Sequence, residues 1–312
     1  MGRHRFLYHL TALTVSAVWG VTFVSTKVLI GAGMDPMAIF GIRFFLAYAG
    51  IWIFSLFSHG RKSLWGRSLK DELLFVFLGI TGGSLYFYME NTALVYTQAS
   101  NVSFLVCSAP LFTAIFTLTW RRFGNGRFVE GLEKVEAGWP LVIGTLLALS
   151  GMALLVFNGS RIHFSVKGDF LAIGAALCWA LYSLFMGQMT HEYGALYTTR
   201  KVFFYGLVTI LPLIGNLGES FSPAILSRPE VIFNLLFLGI VASLIGFIAW
   251  NFAMDKLGNV TSTNYVYLNP VFTLIFASAF LGETMTAGGA IGSLAILAGV
   301  ILAGKSNIDN HG

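Results

Sequence analysis

Residues 77–116 read FLGITGGSLYFYMENTALVYTQASNVSFLVCSAPLFTAIF, and residues 237–276 read FLGIVASLIGFIAWNFAMDKLGNVTSTNYVYLNPVFTLIF. Aligned without a gap at an offset of 160, the two stretches agree at 13 of 40 positions, several times what a Phe- and Leu-rich composition gives by chance. Asn91 falls on Asn251, Ala93 on Ala253, Pro110 on Pro270, and Phe112-Thr113 on Phe272-Thr273. Upstream, Trp19 and Trp179 keep the same register. The chain reads as one unit built twice, and its function is expected where the two copies meet.

The surroundings of this doubled stretch are apolar. Of 312 residues, 56% are hydrophobic and 11% charged, with a mean hydropathy of +0.77. A soluble domain carries about a quarter charged residues, so lipid is the solvent for most of this chain. A pI of about 9.2 and a net charge of +5 would suggest nucleic acid in a soluble protein. Here the basic residues sit in short connections between apolar runs, which is an orientation signal for insertion and excludes nucleic acid as a partner. Cys107 and Cys178 both lie inside apolar runs and read as small packing residues. The N-terminal apolar run continues from the basic Met1–Arg5 through Trp19 to Ile30 without a small-residue cleavage site, so it is expected to stay as the first span.

A span needs roughly 20 largely apolar residues. Ten such runs are placed at about 8–30, 36–57, 72–92, 98–120, 138–157, 168–189, 196–216, 230–253, 259–281 and 286–304. Runs of this length satisfy their backbone amides in lipid only as helices, which predicts an all-α integral membrane fold of ten transmembrane helices. Asp35-Pro36, Trp139-Pro140 and Arg228-Pro229 mark helix starts. Arg3, Arg5, Arg61, Lys62, Arg67, Lys70, Arg121, Arg122, Arg127, Lys134, Lys256 and Lys305 fall on one side and Arg161, Lys167 and Arg228 on the other, which places both termini in the cytoplasm. Residues 1–157 and 158–312 then form two repeats of five spans each. Five is odd, so the repeats enter from opposite faces and are inverted. The register shifts after the fourth span, where a basic cytoplasmic loop, 121–137, is inserted. The fifth and tenth spans realign through Gly144 with Gly292 and Gly151 with Gly299.

These residues resemble the EamA-type branch of the drug/metabolite transporter superfamily. The likeness rests on Trp19-Gly20 with Lys27, Arg43, Asn91-Thr-Ala-Leu94 and Pro110-Leu-Phe112, repeated as Trp179, Trp250-Asn251-Phe-Ala253, Asn269-Pro270-Val-Phe272 and Leu281-Gly282-Glu283-Thr284. The first copy departs from the family where Trp120-Arg-Arg-Phe123 stands in place of a Gly-Glu pair. The resemblance implies export or exchange of amino acids, drugs, sugar derivatives or other small metabolites through a central cavity between the halves. The fifth and tenth spans are then peripheral, and the first, sixth and eighth border the cavity.

Pro110 and Pro270, in the fourth and ninth spans, each free a carbonyl four residues earlier, which reads either as a pair of hinges or as packing kinks. Charge inside a span is costly, by roughly 2.5–3.5 kcal/mol or more. Lys27, Arg43 and Glu90 survive that filter and converge toward one face in the ten-span arrangement. They read as a gate, with Glu90 pairing Lys27 or Arg43 and a substrate carboxylate or a proton competing. Snorkelling is the alternative for Lys27. Glu90 has Trp250 as its register mate, so this charge breaks the repeat. The polar set Asn91, Gln98, Asn101, Asn251, Asn264 and Asn269 serves equally as interhelical glue or as substrate contacts. Trp19, Trp179, Tyr182, Trp250 and Tyr265 are candidates to wall the cavity. Gly288, Gly292, Ala295, Gly299 and Ala303 form a small-residue stripe expected to pack on Gly144, Ala148 and Gly151, making a monomer the simpler reading than a dimer.

No nucleotide-binding loop, zinc-ligand spacing or nucleophile elbow occurs, so no cofactor and no catalytic residue are expected. The sequence predicts a non-enzymatic inner-membrane secondary transporter that exports or exchanges a small organic metabolite, such as an amino acid or amine, with protons as a possible coupling ion. A passive facilitator and a membrane-embedded enzyme acting on a lipid-linked substrate are the alternatives, the latter lacking convergent His, Asp or Glu within spans.

Overall fold

Apolar runs bounded by proline, serine and glycine become helices in the computed structural model, which describes residues 3–57, 63–97, 99–123, 139–157, 165–213, 220–281 and 287–305. Among them every regular element is helical. Helix α1 covers Arg3–Gly31 and α2 Pro36–Phe57. The Asp35 carboxylate opens α2 by accepting the Met37 N–H at 2.7 Å, as an N-cap does. Helix α3 (Leu69–Tyr96) is capped by Ser68, whose hydroxyl accepts the Asp71 N–H at 3.2 Å. Asp71 and Glu72 then sit in its first turn, where the helix dipole favours negative charge.

The next expected span is broken into α4 (Ala99–Val106) and α5 (Ala109–Phe123). Helix α6 is Trp139–Phe157, α7 Val166–Tyr193 and α8 Ala195–Ile210. A single residue, Gly194 at φ 85°, joins α7 to α8, a conformation that suits glycine alone. A short α9 (Pro223–Leu226) leads to α10 (Pro229–Leu257). The chain ends in α11 (Asn259–Thr263), a 3₁₀ turn at Asn264–Leu268, α12 (Asn269–Leu281) and α13 (Ala287–Lys305).

Among the described residues, six stretches are long and apolar enough to cross a membrane: Arg5–Gly31, Pro36–Ser55, Leu69–Tyr96, Val102–Phe123, Val166–Tyr193 and Pro229–Leu257. The other four expected runs are also helical, but shorter or interrupted. The prolines account for the interruptions. Pro110 and Pro270 lie in the first turns of α5 and α12, where a missing N–H costs nothing, so the chain breaks and restarts instead of bending through a continuous helix. Val266 O, four residues before Pro270, accepts the Asn269 N–H within the 3₁₀ turn and also the Cys107 thiol at 3.0 Å. The two breaks therefore touch across the core.

Helices α3 and α10 each contain a π-helical segment, Ile80–Ser84 and Phe237–Ile245. At the offset of 160 the first falls inside the second. Such a turn widens the helix and turns backbone carbonyls away from the regular ladder. Helices α6 and α13 pack through their small residues as expected. A Cβ on Gly151 would stand 2.7 Å from Gly292 O, and one on Gly299 would stand 2.6 Å from Gly144 O. Between α1 and α12, Thr273 donates to Gly20 O at 2.9 Å.

Candidate substrate cavity

The helices surround a partly open cavity, whose empty space of about 410 Å³ includes the part open to solvent. Helix α1 contributes Trp19, Thr22 and Phe23, α2 contributes Arg43, and α3 contributes Tyr86, Phe87 and Glu90. The far wall is Val106 of α4, Trp179 of α7, Phe247 of α10, Val266 of the 3₁₀ turn and Asn269 at the head of α12. Six of these twelve residues are register mates of one another: Trp19 with Trp179, Phe87 with Phe247, and Val106 with Val266. The matched pairs are apolar or aromatic. The charged residues have no charged mates, since Arg43 answers to Phe203 and Glu90 to Trp250. The repeat builds the walls, and departures from it supply the charge.

Each charge is held by neighbours. The Arg43 Nε donates to Ser243 Oγ at 2.9 Å, in the π-helical part of α10, and its guanidinium lies 4.3 Å over the Phe87 ring. Its Nη1 is buried without a hydrogen-bond partner. The Glu90 carboxylate lies near Arg43 and Tyr86 on the same cavity wall. Only 2% of Arg43 and 3% of Glu90 is exposed, so both ionisable groups are buried. Trp19 donates its indole N–H to Ala242 O at 3.0 Å, again in the π-helical segment, and meets Trp179 edge-on at 5.1 Å. The Trp179 Nε1 and Asn269 Oδ1 are buried without partners.

The remaining candidates separate from the cavity wall. Lys27 donates to Leu94 O at 2.7 Å and Thr97 O at 3.1 Å, neutralising the C-terminal end of α3 and not contacting Glu90. Asn91 reaches Pro36 O at 3.1 Å, tying α3 to the start of α2. Asn251 accepts from the Tyr182 hydroxyl at 2.7 Å and donates to Thr199 Oγ1 at 2.9 Å, a buried knot of α7, α8 and α10. Trp250 lies behind Trp19 at 4.8 Å, fully buried. Tyr265 pairs with His9 Nδ1 at 2.7 Å, and Asn264 is buried with a free Nδ2. Gln98 and the side chain of Asn101 lie outside the described residues, as does the loop from 124 to 137.

Sequence reading missed a second polar cluster, where α3 begins. The Glu72 carboxylate receives Lys201 Nζ and the Tyr205 hydroxyl from α8, and the Gly66 N–H at 2.7 Å. Beside it Tyr193 donates to Asp71 at 2.7 Å and accepts the Arg67 N–H at 2.9 Å. The signal available was one acidic and one basic residue near the ends of apolar runs 129 positions apart, which no local pattern connects. Among the described residues no group of three His, Cys, Asp or Glu could hold a metal ion.

The model of the EamA-like transporter family matches residues 6–125 and 166–304. The chain belongs to the EamA-like transporter family. As a member it is a multi-pass membrane transporter with a small-molecule substrate. It is 29% identical to an uncharacterized transporter of Archaeoglobus fulgidus over 299 residues, covering 94% of this chain and 96% of that protein. It is 24% identical over 300 residues to a protein of Streptantibioticus cattleyicolor named a probable terminal-alkyne amino-acid exporter, covering 94% of each. A solved crystal structure, described only as that of a protein, shares the fold with a TM-score of 0.71 at 19% identity over the full length of both chains.

Proposed function

We propose that this EamA-family chain is a secondary transporter of the cell inner membrane that exports or exchanges a small organic metabolite of the amino-acid or amine type. The observation that carries the reading is that Arg43 and Glu90, two buried ionisable side chains of opposite type, line one aromatic cavity. Two unlike charges facing one space offer a partner to each end of a small polar solute, and the apolar walls accept its side chain. Burial of such a pair is costly, and function is the usual reason for keeping it.

In this reading the residues 1–157 and 158–312 are inverted five-span repeats that rock around the cavity, with both termini cytoplasmic. The matched pairs Trp19/Trp179 and Phe87/Phe247 present similar walls to either side as access alternates. The breaks before Pro110 and Pro270, joined through Cys107 and Val266, are the hinges. Glu90 handles the proton when transport is coupled, because it is the acidic group on the cavity wall. The name of the Streptantibioticus cattleyicolor relative supports an amino-acid-like cargo.

The experiment is flux across proteoliposomes with and without a pH gradient, for the wild type and Glu90→Gln. Exchange that persists in the variant while its response to the gradient disappears is expected. A gradient response unchanged in Glu90→Gln would remove Glu90 from the coupling.

A further inference from the structure

We infer that the cavity requires a carboxylate on its substrate, held by two donors the fold leaves free: Nη1 of Arg43 and Nε1 of Trp179. The inference rests on the transport reading above and narrows its cargo from amino acid or amine to molecules bearing a carboxylate.

The argument starts from an asymmetry between two residues that the repeat makes equivalent. Trp19 and Trp179 share register, and both line the cavity. Trp19 spends its N–H on Ala242 O. The register mate of Ala242 is Gly82, which also lies in a π-helical segment, so a matching carbonyl stands in the other copy. Trp179 nevertheless has no partner, although only 4% of it is exposed.

Four residues beyond the two carbonyls lies the difference. In one copy this residue is Gly246, where a Cβ would stand 3.1 Å from the Trp19 Nε1, crowding the indole. Its mate is Tyr86, whose ring packs 5.3 Å from Trp179. Glycine opens the approach to one carbonyl. In the other copy a tyrosine, Tyr86, stands at the equivalent position beside the Trp179 ring, and Tyr182 packs onto Gly82. One tryptophan is thereby a structural strut and its twin a free donor on the cavity wall.

Arg43 is left free in the same manner. Ser243 takes its Nε, Phe87 covers a face of the guanidinium, and Nη1 remains unbonded in a residue that is 2% exposed. Buried donors without partners cost stability, and folded proteins keep few of them. An amine offers these two donors nothing. A carboxylate has two acceptor oxygens and a charge that complements the guanidinium. A doubly charged phosphate fits less well, because Glu90 lies near Arg43 and repels a second negative charge. The unpartnered Asn269 Oδ1 and the Glu90 carboxylate are left to receive an ammonium group.

The test offers proteoliposomes the labelled protein amino acids, each beside the amine obtained by removing its carboxylate. At least one amino acid is expected to exchange, with its amine at least ten-fold slower. Trp179→Phe keeps the ring and removes one hydrogen bond to a charged group, so the acid-to-amine ratio should fall about ten-fold. Arg43→Lys, which keeps the charge and removes Nη1, should lower the ratio in the same direction. Because the readout is the ratio of two probes in one preparation, general loss of protein lowers both rates and leaves the ratio unchanged. An amine that moves as fast as its parent amino acid overturns the inference and leaves the transporter reading standing. A ratio preserved in Trp179→Phe and Arg43→Lys also overturns it. No exchange of any probe would overturn the transporter reading and this inference together.

Discussion

Lys201→Met leaves a buried carboxylate without its cation and is expected to lower stability measurably. Lys201 Nζ meets Glu72 and donates to Leu64 O at 2.8 Å, with the Tyr205 ring centred 5.0 Å away. The side chains of the pair are 5% and 11% exposed, so water does little to screen or replace the contact. Removing one partner of a buried pair costs about 3–5 kcal/mol. After the substitution Glu72 still accepts from the Tyr205 hydroxyl and the Gly66 N–H, which argues for the lower end, about 3 kcal/mol. At about 2 °C per kcal/mol for a chain somewhat larger than a typical domain, the apparent Tm falls by about 6 °C. The assay is thermal unfolding of detergent-purified protein followed by size-exclusion recovery. Lys201→Met with Glu72→Gln should recover part of the loss, because no uncompensated charge remains. A single-variant shift below about 2 °C, or a double variant less stable than the single, would refute the reasoning.

Two further changes test the packing. Trp19→Phe removes the donor to Ala242 O and should lower stability by about 1 kcal/mol, seen as a small drop in apparent Tm; an unchanged Tm would mean that the carbonyl finds another donor. Gly151→Leu puts a side chain where a Cβ alone would stand 2.7 Å from Gly292 O, forcing α6 from α13 at a cost of about 1–3 kcal/mol. Wild-type thermal stability in that variant would contradict the close approach.

Much of the helical architecture was legible from apolar runs and from the self-similarity of the sequence. The 160-residue offset located the two proline breaks and the Trp19/Trp179 pair, and the search for intramembrane charge found Arg43 and Glu90, which line the same cavity. The small-residue stripes identified the α6–α13 contact from spacing alone. What escaped depends on rotation and depth, which an apolar run does not encode. Lys27 has the composition of a gate residue but lies over the last carbonyls of α3. Asn91 and Asn251 have the chemistry of ligands, yet the Asn91 Nδ2 is engaged by Pro36 and the Asn251 amide by Tyr182 and Thr199. The π-helical segments leave no mark on hydrophobic periodicity, because both faces of α3 and α10 are apolar there. Even the free indole of Trp179 becomes visible only when Gly246 and Tyr86 are compared in place.

The most direct measurement of the central claim is efflux from proteoliposomes loaded with a labelled panel of amino acids, amines and sugars. Transport through the Arg43–Glu90 cavity predicts protein-dependent efflux of at least one amino acid, accelerated by unlabelled solute of the same kind on the opposite side. Efflux no faster than from protein-free liposomes for every member of the panel would contradict it.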